Sequence, residues 1–129
     1  MSKLGRYSAD RKKIKALTAS HTVTVAECGT IFTADPTAGS IVITLPACAS
    51  AGEGWWCKVF RLNAHSNNVT VALNGSDAAI GVEVSNTAVA MGTASVVMNT
   101  TVAGIQAEFI CDGTLWLVNA LGVAAGDVT

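Results

Sequence analysis

From His21 onward, apolar side chains recur at every second position in short runs broken by turn residues, and no stretch shows a convincing helical period. In His21-Thr-Val-Thr-Val25 the valines share one face and the threonines the other. Further runs follow at residues 30–33, 41–45, 55–62, 69–73, 79–84, 95–98, 105–111 and 114–119. Asp35-Pro36 with Gly39, Asn74-Gly75 and Asp112-Gly113 supply turn chemistry between them, and Pro46 closes the run before it because it has no N–H for a ladder. Asp112-Gly113 between two apolar runs predicts a type I′ hairpin. The pattern predicts an all-β fold, an antiparallel β-sandwich or jelly-roll-like barrel of about eight or nine short strands. Parallel βαβ neighbours need a long crossover, and with no helix available the sequence excludes them; a β-solenoid is the lesser alternative, since the fixed-period repeat it requires is not found.

The chain has 129 residues, the size of one domain with a real core. Charged residues make up 13% and hydrophobic residues 50%. The charge is about half the ordinary share of roughly 25%. Such a surface has little repulsion to keep copies apart, which predicts an oligomer. No apolar run approaches the roughly 20 residues that span a bilayer, so no membrane partner is expected. Ala16 to Ser20 offers no apolar core for a signal peptide, which predicts synthesis in the host cytoplasm.

Charge divides the chain. Lys3, Arg6, Arg11, Lys12, Lys13 and Lys15 are six of its eight cations; residues 1–20 carry a net +5 and the remainder −6. Residues 1–20 therefore read as an extended basic arm, 21–121 as the β-domain and 122–129 as a tail without structural signal. Within the arm, Ser8 would cap a short helix that places Ile14 and Leu17 on one face. Exposed ion pairs contribute only about 0.2–1 kcal/mol each, too little to order such a segment. Leu4, Tyr7, Ile14 and Leu17 must then bury against whatever the arm binds, or its backbone must pair with another strand, and the β-domain should fold without it.

Catalytic signals are poor. His21 and His65 stand alone, no nucleophile elbow, zinc-protease motif or phosphate loop is present, and carboxylates are scattered singly. The expectation is a protein that is not an enzyme, with no cofactor and no metal. Cys28, Cys48, Cys57 and Cys111 lack paired spacing and are expected as buried free thiols. Consecutive Trp55 and Trp56 must point to opposite faces of a strand, one into the core and the other toward a subunit interface or a ligand.

Two segments resemble β-modules of bacteriophage heads and tails. One is SIVITLPACASAGEGWWCKVFRLNAHSNNVTVAL, a strand ending in Thr-Leu-Pro-Ala, a small-residue loop, an apolar strand and an Asn-rich turn; the other is the closing pair FICDGTLWLVNA. The leader MSKLGRYSADRKKIKALTAS is similar to the capsid-contacting arm of small head decoration, or cement, proteins of tailed phages. That resemblance implies a virion protein on the capsid surface, a homotrimer that braces the major capsid protein lattice through Lys3, Leu4, Arg6, Tyr7, Arg11, Lys12, Lys13, Ile14, Lys15 and Leu17. The alternative is a tail fibre or receptor-binding module that stacks a tryptophan on a host surface glycan. A nucleic-acid partner is not expected, because the body is acidic and Tyr7 is the arm's only aromatic ring.

Overall fold

A computed structural model describes residues 11–84, 89–90, 94–99 and 101–129. Among the described residues, eleven strands lie in two facing sheets: β1 (Lys13–Leu17), β2 (His21–Thr22), β3 (Thr30–Ala34), β4 (Ile41–Thr44), β5 (Trp56–Arg61), β6 (Val69–Ala72), β7 (Ala79–Val84), β8 (Val89–Ala90), β9 (Ser95–Met98), β10 (Gln106–Cys111) and β11 (Trp116–Leu121). The larger sheet has the order β1-β3-β5-β10-β11-β7-β8 and the smaller β2-β4-β6-β9. A four-residue helix, α1 (Cys48–Ala51), and 3-10 turns at Val25–Glu27 and Pro36–Ala38 complete the described elements.

The chain is a sandwich, but its sheets are mixed and largely parallel, which overturns the antiparallel and jelly-roll expectation. Strands β1, β3 and β5 pair in parallel in one sheet, and β2, β4 and β6 do so in the other. Parallel neighbours do need a crossover, but here a strand of the opposite sheet provides it. The first six strands thus wind alternately through the two sheets, like turns of a solenoid without a repeated sequence. Strand β7 then joins the far part of the large sheet. The antiparallel pair β10–β11 fills the gap between β5 and β7, and β9 closes the small sheet against β6.

Alternate positions of both sheets interlock in the core. Phe32, Val59, Phe109, Trp116 and Val118 face Ile41, Ile43, Val69, Val71 and Met98, all nearly inaccessible to solvent. Each such side chain contributes about 1.5–3 kcal/mol of burial. Gly81 is the tight point of this packing, because an added Cβ would overlap the Val118 carbonyl of the neighbouring strand.

Three local expectations also change. Lys13–Leu17 is a strand rather than part of a helix: a lone short helix has little to hold it, whereas β1 gains the β3 ladder and buries Leu17. The β10–β11 loop is not a type I′ turn, since Gly113 has φ +96° but no other residue type has a positive φ. Four residues separate the strands, and the Asp112 carboxylate accepts the N–H groups of Thr114 and Leu115, both at 2.8 Å. Finally, residues 122–129 fold back on the domain. Val97 and Thr129 exchange backbone bonds of 2.7 and 3.0 Å, and Val128 is fully buried.

Candidate functional site

The outward positions of the large sheet form one continuous face. Strand register places Trp56, Ile110, Leu117 and Ile80 in one row. The next holds Ile14, Ile31, Lys58, Glu108, Asn119 and Val82, and the third Ala16, Thr33, Phe60, Gln106, Leu121 and Val84. The first row is wholly apolar, the second half apolar and the third apolar at four of its six positions, although the face meets solvent: Ile14 is 69% exposed, Ile80 61% and Val84 57%. Lys58 and Glu108, at the centre, are registered partners that form no ion pair with each other; the Lys58 ammonium lies 5.6 Å from the Phe60 ring centroid. Exposed apolar side chains grouped on one sheet face are the kind of surface from which interaction sites are drawn.

The two adjacent tryptophans separate onto the two sides of the large sheet. Trp55 is buried, meets Trp116 edge to face with centroids 5.5 Å apart, and donates its indole N–H to the Val25 carbonyl at 2.8 Å. Trp116 has no acceptor for its own indole N–H, so burial and the edge contact hold it. Trp56 is half-buried on the outer face. Its ring covers Gly29, which turns at φ +77°, and the Lys12 ammonium lies 5.9 Å from a ring centroid of Trp56. Trp56 is thus the member of the pair on the solvent-facing side of the sheet.

The residues assigned to the arm fall into three groups. Lys3, Leu4, Arg6 and Tyr7 lie outside the described residues. Arg11, Lys12, Lys13 and Ile14 are exposed at the edge of the large sheet, where no described strand pairs with the outer side of β1. Lys15 and Leu17 are committed to the chain's own fold. Leu17 is buried in the core, and the Lys15 ammonium sits 3.2 Å from Glu27, whose carboxylate also meets His21 Nε2 at 3.0 Å. Burial alone would raise the Glu27 pKa, but the Thr24 backbone N–H, His21 and Lys15 together hold its carboxyl down at about 2. The cluster fixes β1 to the start of β2 and to the Val25–Glu27 turn.

Three buried charged side chains escaped sequence reasoning. Arg61, fully inaccessible, donates to the carbonyls of Asn63 at 3.1 Å, Met98 at 3.2 Å and His65, linking the end of β5 to the opposite sheet. Burial lowers its pKa from the ordinary arginine value. Glu83 accepts the N–H groups of Gly126 at 2.7 Å and Val128 at 3.0 Å, and Asp127 accepts those of Val123 and Ala124, both at 2.8 Å. Strand parity carried the signal for two of them: Arg61 shares its face with Cys57 and Val59, and Glu83 shares its face with Ala79. These groups are structural. They hold the fold that presents the outer face.

Cys48 and Cys111 form a disulfide with their Cα atoms 6.0 Å apart, which overturns the expectation of four free thiols for this pair. It joins α1 to the end of β10, where Asp77 also accepts the Cys48 N–H at 2.7 Å and so caps the helix from a distant loop. Spacing could not reveal the bridge, because its cysteines are 63 residues apart and meet only through the sandwich. Cys28 and Cys57 remain free, and burial pushes the Cys57 thiol pKa up.

Among the described residues, no group of three or more His, Cys, Asp or Glu side chains gathers to hold a metal, and no helix is long and apolar enough to cross a membrane. A scan against protein-family models finds no family that matches this chain, and a search of curated proteins finds no relative.

Proposed function

We propose that the chain is a structural virion protein of a tailed bacteriophage, which decorates and stabilises the capsid by binding across neighbouring subunits of the major capsid protein through its basic N-terminal segment. The observation that carries this proposal is the root of that segment. Leu17 and the Lys15–Glu27–His21 cluster anchor β1, while Arg11, Lys12 and Lys13 stand exposed at an open sheet edge. The twelve residues ahead of β1 reach at most about 40 Å when extended, enough to leave the domain and cross onto a neighbour. Cations would orient the segment, while strand pairing and apolar contact by Leu4 and Tyr7 would hold it. The Cys48–Cys111 bridge suits service outside a reducing cytoplasm.

Co-sedimentation with undecorated heads tests the proposal. Removing residues 1–10 spares β1 and should abolish binding, whereas Arg11→Ala, Lys12→Ala and Lys13→Ala together should weaken it mainly at low salt. Wild-type occupancy by the shortened protein would overturn the proposal. The alternative, a tail fibre or receptor-binding module for a host glycan, draws on the half-buried Trp56 ring. It requires Trp56 fluorescence to respond to glycans of the host surface and Trp56→Ala to abolish adsorption to cells.

A further inference from the structure

We propose that the outer face of the seven-stranded sheet is the contact between two copies of the chain, related by a two-fold axis that lies in the interface and runs along the boundary between β5 and β10. Such a rotation leaves positions along the strands unchanged and exchanges the two sides of the sheet. It sets β5 over β10, β3 over β11 and β1 over β7. Lys58 then meets the partner's Glu108, and the same pair recurs across the axis, while Trp56 packs on the partner's Ile110.

Charge complementarity selects this occupant. Lys58 and Glu108 sit side by side at the centre of an apolar face, registered but not paired with each other. Lys58 and Glu108, one on either side of the face's midline, are complementary to their own copies after a two-fold turn. Area agrees. Six long strands spaced about 4.8 Å apart, each contributing five or six residues at about 3.3 Å, give a projected face of about 500 Å² per copy. Two copies then bury about 1,000 Å² or more, the lower bound for a specific interface, which places the dimer in the weak, reversible class. The proposal does not rest on the capsid assignment, and it puts a dimer in place of the homotrimer that the decoration-protein resemblance implies.

Sedimentation velocity across the micromolar range tests it on the full chain. The expected particle has twice the 13.1 kDa chain mass. Lys58→Glu and Glu108→Lys should each raise the dimer dissociation constant by about tenfold or more, because each places like charges against each other. An equimolar mixture of the two variants should form a mixed dimer tighter than either variant alone, which a charge pair within one chain cannot produce. Leu117→Gln, at an exposed position that leaves the core untouched, should also weaken the dimer. A monomer at every concentration, a three-chain particle, unchanged dimers in both charge variants, or a mixture that forms no mixed dimer would each overturn the proposal.

Discussion

Glu83 and Gly122 occupy touching positions: a Cβ added to Gly122 would overlap the Glu83 carboxylate and crowd Asp127. The carboxylate is buried and satisfied by the N–H groups of Gly126 and Val128, so the last segment of the chain closes around it. Gly122→Ala should therefore destabilise the protein by about 3 kcal/mol or more, through overpacking and displacement of a satisfied charge. Glu83→Ala should cost about 2–3 kcal/mol by leaving two buried donors unpaired. Urea unfolding monitored by tryptophan fluorescence measures both.

Reduction should weaken the fold markedly. The Cys48–Cys111 bridge closes a long loop between the two sheets. Loop-closure entropy for such a separation corresponds to about 4 kcal/mol. Cys48→Ser with Cys111→Ser, or treatment with a reductant, should lower the melting temperature by roughly 10–15 °C. Thiol titration after denaturation without reductant should find only Cys28 and Cys57.

Arg61 should tolerate neither truncation nor its usual substitute. Three carbonyls, from Asn63, His65 and Met98, surround its guanidinium. Arg61→Met keeps much of the volume but strips those carbonyls of their donor, at a cost of about 2–4 kcal/mol. Lysine cannot reproduce the fork, so Arg61→Lys should recover only part of the loss. Chemical denaturation of the three proteins ranks them.

Acid should remove a defined share of stability. Glu27 titrates at about 2 in the fold against an ordinary 4.5, so its ionised form favours folding above about pH 4.5. That contribution falls away between about pH 4.5 and 2, and with solvent screening at this partly exposed cluster amounts to about 1 kcal/mol. Asp35 and Asp112 are also held below the ordinary range, but remain in a Glu27→Gln variant. The stability difference between wild type and variant should be larger at pH 7 than near pH 2, as urea titrations at the two values would show.

Leu17 and Ile14 lie on the same strand but should respond differently. Leu17→Ser places a hydroxyl in the core and should cost about 2–4 kcal/mol of stability. Ile14→Ser, at a largely exposed position, should change stability by less than about 0.5 kcal/mol and affect only association. Thermal melts of the two variants check the contrast.

Strand existence was legible because alternation reports which side chains lose contact with water. Residues 79–84 and 95–98 were read with the bounds the structure shows, and 41–45, 69–73 and 105–111 to within one residue. Pairing was not legible. Val69, Val71 and Ile43 alternate identically whether the neighbouring strand runs parallel or antiparallel, and nothing in that pattern says that β2 serves as the connection from β1 to β3. Charge misled at Lys13–Leu17, where the four cations Arg11, Lys12, Lys13 and Lys15 concealed a strand anchored by one leucine. The outer face was half legible: Trp56 announced it, but Ile80, Leu117 and Leu121 join it only through register.

The winding of β1 through β6 has a consequence for how the protein acquires its fold. None of these strands pairs with its immediate successor; Lys13 must find Thr30, and Thr30 must find Cys57. Every ladder in that half requires closure of a long loop before any hydrogen bond offsets the entropy lost. Strands β10 and β11, joined by a tight loop, form a local hairpin in the large sheet, where β7 and β8 are also a local pair, and β5 has no second neighbour until β10 is made. A ribosome releases the hairpin after all six wound strands, so the nascent chain would carry unpaired parallel edges through most of its synthesis. Folding should then be slow, and the period just before the hairpin emerges is when this chain depends most on chaperones.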